Sequence, residues 1–80
     1  MRNRYSMNDI RRTLETEIAG ALHESVYSIN VEISKMSYSS EGYSTEGTFR
    51  VIPFFVTRTG SFSAKLDSNL NILDLEIEED

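Results

Sequence analysis

Residues 48–58, TFRVIPFFVTR, are the stretch that decides the fold of this 80-residue chain. Its apolar side chains fall on both faces of an extended strand, whereas the other candidate strands alternate apolar with polar residues. A strand that is apolar on both faces needs cover on both faces, and a single helix supplies cover for one. We therefore expect a partner to cover the second face of this strand.

A helix of about four turns is predicted over residues 9–24. Residues 6–9 offer cap residues, and the helical spacing then places the apolar side chains on one face. That face carries Ile10, Leu14, Ile18, Ala21 and Leu22. From Val26 the period changes to two, and Tyr27, Ile29, Val31 and Ile33 alternate with polar residues, which predicts a half-buried strand.

Two more strands are predicted after the apolar stretch. Residues 58–60 and 67–71 are typical of turns, and each is followed by an alternating run. The inward sides of these runs are Phe62, Ala64 and Leu66, then Leu73, Leu75 and Ile77. The sequence therefore predicts an α+β fold, with one N-terminal helix packed on a four-stranded antiparallel β-meander. We expect one domain over residues 1–80, with an N-terminal arm at 1–7 and an acidic C-terminal end in the core segment 8–80.

The register of the apolar strand decides which of its residues face a partner. A three-residue loop with Gly60 in the left-handed conformation is favoured, because a two-residue turn would force Thr59 to positive φ. That register points Phe55 outward. If the strand is regular, it also points Phe49 and Val51 outward. The candidate partner-binding residues are Phe49, Val51, Ile52 and Phe55.

Pro53 leaves a second register open. Proline cannot donate to a strand ladder, so within a central strand it marks a β-bulge. A bulge at Ile52 and Pro53 would bring Phe49 and Val51 inside and leave Phe55 and Ile52 on the outer face. In both registers we expect a homodimer or a complex with another protein.

The Ser- and Gly-rich segment 37–47 is predicted to be a mobile hairpin connection. Tyr38 and Tyr43 lie in it, and two rings on a flexible loop could grip a small ligand. The alternative function is therefore a small-ligand-binding protein with a site between the helix and this segment.

Composition restricts the function classes. The net charge of -5 opposes a nucleic-acid role, because binding phosphates needs a basic surface. No stretch approaches the ~20 apolar residues of a membrane span, and the N-terminus lacks a run of signal-peptide length. We expect a soluble cytoplasmic protein. Because the chain has no Cys, neither a disulfide nor a thiolate-bound metal can cross-link it. So small a core must therefore be stabilised by packing or by oligomerisation.

No pattern of catalytic or metal-ligating residues stands out. Asp67, Asn69, Asn71 and Glu78 match positions one, three, five and twelve of a calcium loop, but Ile72 occupies the position that needs glycine. His23 is the only histidine and lies near the predicted helix end. We therefore expect no metal, no cofactor and no enzymatic activity.

The run of motifs GTFRVIPFF, GSFSAKLDSN and NILDLEIEE resembles the PepSY-type domain over about seventy residues, from residue 8 onward. In that family a strand, a glycine turn, a second strand ending in an Asp-containing turn and a last aliphatic strand recur. The resemblance implies a non-enzymatic module that binds or restrains a partner, commonly a peptidase, usually outside the cytoplasm. Cystatin-like inhibitors share the predicted layout, but their Gln-x-Val-x-Gly loop is absent.

Overall fold

In the computed structural model, which describes residues 5–52 and 56–80, one helix packs on a four-stranded sheet. The elements are helix α1 (Met7–Leu22), a short 3-10 turn (Val26–Ser28), β1 (Ile29–Ser39), β2 (Gly42–Val51), β3 (Arg58–Leu66) and β4 (Ile72–Glu79). All neighbouring strands are antiparallel, and their order across the sheet is β1-β2-β3-β4. The predicted α+β fold, a helix on a four-stranded meander, is confirmed. Within the described ranges, no helix is long and apolar enough to cross a lipid bilayer.

Helix α1 begins and ends at residues whose side chains or backbone suit a helix end. Ser6 is the N-cap, and its hydroxyl accepts a hydrogen bond from the Asp9 N–H while the Asp9 carboxylate accepts one from the Ser6 N–H. These two bonds form a capping box. At the other end His23 adopts the left-handed conformation (φ 60°), and its N–H donates to the carbonyls of Ala19 and Gly20. The helix thus starts and stops two residues earlier than predicted.

The core lies between α1 and one face of the sheet, called here the inner face. The helix contributes Ile10, Leu14, Ile18 and Ala19, and the sheet contributes Ile29, Val31, Tyr43, Phe49, Val51, Phe62, Ala64 and Leu66. The predicted stripe is largely correct, but Ala19 is buried in the last turn of the helix and Ala21 is exposed. The opposite, outer face of the sheet carries polar side chains on all four strands.

The segment predicted to be a mobile connection is mostly strand. β1 and β2 are joined by residues 40–41 alone, with Ser39 opposite Gly42. The prediction was wrong because Tyr43, Thr45 and Gly47 alternate inward and are buried between β1 and β3. Strand pairing on both sides of β2 thus outweighs the low strand propensity of its serines and glycines.

The turn predicted at residues 58–60 is also absent. β2 ends at Val51 and β3 begins at Arg58, which is its direct partner, so Gly60 lies inside β3 opposite Phe49. A Cβ atom on Gly60 would come within 2.6 Å of the Phe49 ring. The side chain of Phe49 therefore fills the space that this glycine leaves, and this pairing fixes the register of the hairpin.

This register corrects the placement of two predicted partner-binding residues. Phe49 and Val51 are 3% and 0% exposed, and both contribute to the core. The regular-strand register, which points both residues outward, was wrong. In the structure Phe49 pairs with Gly60 and Val51 with Arg58, and this pairing turns both side chains inward. The burial of Phe49 and Val51 agrees with the bulged alternative, but the Gly60 loop on which both predicted registers rested is absent. The Phe55 and Pro53 predictions lie outside the described residues.

The turn predicted at residues 67–71 is present, and the Asp67 side chain organises it. One carboxylate oxygen accepts hydrogen bonds from the backbone N–H groups of Asn69 and Asn71 at 2.8 and 2.9 Å. The other accepts from the Asn71 amide at 3.0 Å. A register shift beside Leu66 then turns Ile72 toward the inner face and leaves Leu73 exposed, so the alternation predicted for β4 holds from Leu75 onward.

We predict opposite effects for alanine at two glycines. Gly60→Ala should lower the free energy of unfolding by about 1–3 kcal/mol, because its Cβ collides with the Phe49 ring and the Glu78 carbonyl. Gly20→Ala should raise it by up to about 1 kcal/mol, because Gly20 is an exposed helix residue with no other atom within 4 Å of the added Cβ. Urea unfolding of both variants measures the difference. A neutral Gly60→Ala would contradict the hairpin register.

Candidate functional site

Of the four candidate partner-binding residues, Ile52 is the one that the structure places at the surface. Its side chain is 52% exposed, and its backbone N–H donates to the carbonyl of Ser28 at 2.9 Å. This bond joins the end of β2 to the 3-10 turn before β1. Phe49 and Val51 are in the core, and Phe55 lies outside the described residues.

Four of the nine exposed large apolar side chains in the described part of the chain lie at this end of the sheet, where β1 begins, β2 ends and β3 begins. Tyr27 is 97% exposed, Val56 66% and Val26 37%. Together with Ile52 they form the surface that we call the apolar end. Single exposed apolar residues are ordinary on protein surfaces, whereas several at one end of a small domain indicate an interaction site.

Tyr27 and Val56 were not predicted as site residues. The period-two pattern places Tyr27 on the buried side of a strand, but Ser25 accepts a hydrogen bond from the Tyr27 N–H and holds a 3-10 turn there. A serine ahead of the strand is therefore the only sequence feature that could have indicated the exposed ring. The predicted three-residue loop at Gly60 would place Val56 opposite Phe62, but the structure pairs Phe62 with Gly47.

A three-residue ion network stabilises the same end. The Arg58 guanidinium donates to Glu24 at 2.6 Å and to both carboxylate oxygens of Glu79 at 2.6 and 2.9 Å. Arg58 thereby connects Glu24, two residues beyond the end of the helix, to β3 and β4. The hydrogen bonds to Glu79 and Glu24 raise the pKa of Arg58, and Arg58 in turn lowers the pKa of Glu79. The charges beside the apolar end are thus paired with one another.

The outer face of the sheet is polar and acidic. A depression of about 830 Å³ that is open to solvent lies on this face. Residues of all four strands line it, including Ser34, Glu46, Thr48, Ser61, Ser63, Glu76 and Glu78. Within residues 5–52 and 56–80, the strands carry no apolar patch on this face of the kind predicted from residues 48–58. On this face β2 presents the polar side chains of Thr48 and Arg50, because Phe49 and Val51 point inward.

The two tyrosines of the alternative ligand site lie together but do not line an open cleft. They are cross-strand partners in the β1–β2 hairpin, with ring centroids 4.8 Å apart and ring planes at 50°. Tyr43 is buried, and its hydroxyl accepts a hydrogen bond from the Tyr5 N–H at 3.4 Å. Tyr38 is half-exposed. The contact between the two tyrosine rings therefore packs the β1–β2 hairpin next to the N-terminal end of the helix.

Three of the four residues of the calcium-loop pattern lie together in the turn at residues 67–71, and Glu78 lies apart from them. Asp67 uses both carboxylate oxygens within its own turn, and hydrogen bonds from Asn71 and Asn69 lower its pKa. Glu78 lies on β4, on the outer face. Among residues 5–52 and 56–80, no three side chains of the His, Cys, Asp or Glu type are grouped so that they could hold a metal ion.

No protein-family model, curated protein or solved structure matches the chain.

We predict that Phe49 and Ile52 differ sharply in their contribution to stability. Phe49→Ala should cost about 3–5 kcal/mol, because it opens a cavity between the helix and Gly60. Ile52→Ser should change the unfolding free energy of the monomer by less than about 1 kcal/mol, because half of the side chain is in solvent and its N–H bond to Ser28 remains. Denaturant titration at low protein concentration distinguishes the two. A stable Phe49→Ala variant would show that Phe49 is outside the core.

The Asp67 turn predicts a pH-dependent contribution to stability. A carboxyl group whose pKa is lowered by folding stabilises the fold above its ordinary pKa of 3.8, and this contribution is lost as the pH falls through the lowered value. Asp67→Asn should therefore lower the melting temperature at pH 7, and the difference from wild type should shrink as the pH falls through the lowered pKa of Asp67. Asp74→Asn, which removes an exposed charge outside the turn, is the control. A pH-independent effect of Asp67→Asn would contradict the hydrogen-bond assignment.

Proposed function

We propose that this chain is a small non-enzymatic interaction module that forms a homodimer through the apolar end. The observation that carries the proposal is the exposure of Tyr27, Ile52 and Val56 at one end of the sheet. The proposal moves the predicted contact surface from the outer face of the sheet to its end. We further propose that the protein acts in the cytoplasm.

The distribution of charge favours a second copy of the chain at the apolar end. Two molecules with a net charge of -5 repel each other wherever their acidic surfaces meet. The outer face and β4 carry unpaired carboxylates in the described part of the chain, such as Glu46, Glu76 and Glu78. At the apolar end the side chains are uncharged, and Arg58 pairs with the neighbouring acids.

The energy of burial is of the right size for a dimer. Fully burying an exposed apolar side chain contributes about 1.5–3 kcal/mol. Because Tyr27, Ile52 and Val56 are 97%, 52% and 66% exposed, these side chains from two subunits contribute about 6–13 kcal/mol. Association costs about 4–15 kcal/mol in lost translational and rotational freedom. These ranges support a dimer of modest affinity.

The charged residues whose pKa is shifted take part in contacts that stabilise the fold. The described side chains with a shifted pKa are Asp9, Arg58, Asp67 and Glu79. Each shift follows from a helix cap, an ion pair or a turn, so these groups are engaged in stabilising contacts. The ligand-binding alternative has weaker support, because Tyr43 is buried and segment 37–47 is a strand hairpin.

Self-association should depend on concentration and on the apolar end. We predict that wild type sediments as a dimer in the micromolar range, and that Tyr27→Ser raises the dissociation constant by at least about tenfold without unfolding the monomer. Ile52→Ser should act in the same direction.

Leu73→Ser is the matched control, because Leu73 is 63% exposed but lies at the start of β4, at the other end of the sheet. It should leave the dissociation constant unchanged. Wild type that remains monomeric at millimolar concentration would refute the dimer, and equal effects of Leu73→Ser and Tyr27→Ser would refute its assignment to the apolar end.

A further inference from the structure

The free edge of β4 presents unused backbone hydrogen-bonding groups. β4 pairs with β3 on one side and is the last strand of the described sheet. Asp80 and Thr59 lie opposite each other, and the Asp80 N–H donates to the Thr59 carbonyl at 2.9 Å. Because opposite pairs in an antiparallel ladder alternate between bonded and non-bonded, Glu78 and Glu76 also bond toward β3. The backbone groups of Leu75, Ile77 and Glu79 therefore point away from the sheet.

The inner side of this edge is apolar and only partly covered. Leu75 and Ile77 are half-buried, as are the neighbouring Leu70 and Ile72. Of the four strands, β1 is the one that the helix contacts most closely. A helix is about 10 Å across, whereas the outer strands of a four-stranded sheet are about 14 Å apart, so the far edge keeps exposed apolar surface.

The outer side of the same edge is a row of carboxylates. Asp74, Glu76 and Glu78 alternate with Leu75 and Ile77 and are exposed on the outer face. In the described part of the chain, the ion pairs that form involve Arg58 with Glu24 and Glu79, so none of these three carboxylates is in an ion pair. Charged residues on an edge strand discourage pairing with an identical edge.

This charge pattern decides what can pair with β4. Two β4 strands related by a two-fold axis would bring six carboxylates together on one face, which disfavours a second copy of this chain. The β1 edge is less suited to strand addition, because a register shift between Ile33 and Lys35 distorts it and Arg11 lies beside Asn30 and Glu32. β4 has no register shift from Asp74 to Glu79.

We propose that the free edge of β4 binds an extended segment of a partner protein in which lysine or arginine alternates with apolar residues. The segment pairs with the backbone of Leu75, Ile77 and Glu79 as a fifth strand. Its basic side chains lie over Asp74, Glu76 and Glu78 on the outer face, and its apolar side chains lie beside Leu75 and Ile77 on the inner face. The site uses a surface separate from the apolar end and does not depend on the proposed dimer.

The probe is a peptide of eight residues, the length of β4, in which lysine and valine alternate. It is titrated into the Tyr27→Ser variant as well as wild type, so that loss of self-association does not affect the result. Isothermal titration calorimetry should show binding that weakens as salt increases, because exposed ion pairs are screened. Amide exchange should slow at Leu75, Ile77 and Glu79 when the peptide binds.

Two double protein variants and one control peptide separate strand addition from general charge attraction. The double variant Glu76→Lys with Glu78→Lys should weaken binding by at least about tenfold. The matched double variant Glu17→Lys with Glu41→Lys makes the same charge change at exposed positions elsewhere and should bind as wild type apart from a small general loss. A peptide of the same composition with its lysines and valines in two blocks should bind at least about tenfold more weakly.

Backbone methylation completes the test. An antiparallel fifth strand would bond through its valine N–H groups and a parallel one through its lysine N–H groups, so N-methylation of one set should abolish binding and N-methylation of the other should not. Strand addition is refuted if both methylated peptides bind as well as the parent. It is also refuted if the alternating peptide does not bind, or if it protects amides other than those of Leu75, Ile77 and Glu79.

Discussion

The ring of Phe49 packs over the backbone of Gly60, and the arrangement of the whole sheet depends on this contact. It sets β2 against β3 so that Val51 is opposite Arg58 and Thr45 is opposite Ala64. A shift of one residue would turn every side chain of β2 to the other face. With the observed register, the apolar and hydroxyl side chains of Tyr43, Thr45, Phe49 and Val51 enter the core. The one buried polar side chain of β2, Thr45, donates to the Ala64 carbonyl at 3.2 Å.

The same register determines the chemistry of the outer face. Because Phe49 and Val51 point inward, Thr48, Arg50 and Glu46 point outward beside the serines of β3 and the acids of β4. Among the described residues of segment 48–58, Phe49 and Val51 are therefore covered by the helix layer and not by a second layer on the outer face. β2 ends at Val51, so Ile52 and Val56 leave the sheet and reach the surface at its end.

A single helix on four strands leaves the two edges of the sheet unequal. The helix lies closest to β1, and Arg11 approaches the outer side of that strand. β4 keeps half-exposed apolar residues on one side and carboxylates on the other, and Arg58 holds its C-terminal end through Glu79. The charged edge limits pairing between identical copies, while the apolar end offers the surface with the least repulsion. In the proposed interaction, the same acidic strand would select a basic partner segment and would also limit aggregation between identical copies.

The sequence by itself determined the elements and their order. Helical spacing of Ile10, Leu14 and Ile18, the Asp67 turn and the alternation of Phe62, Ala64 and Leu66 are local patterns that need no partner strand to be read. The tertiary structure alone decided the strand limits, the register and the exposed surface. Phe49 is apolar in any register, and only its fit against Gly60 across the hairpin shows that it faces the core. Tyr27 fits the alternating pattern equally well, but the bond from the Ile52 N–H to Ser28 and the turn capped by Ser25 place its ring in solvent. Contacts between residues distant in sequence set the strand limits and the register, whereas the Ser25 turn is a local feature that bears on Tyr27.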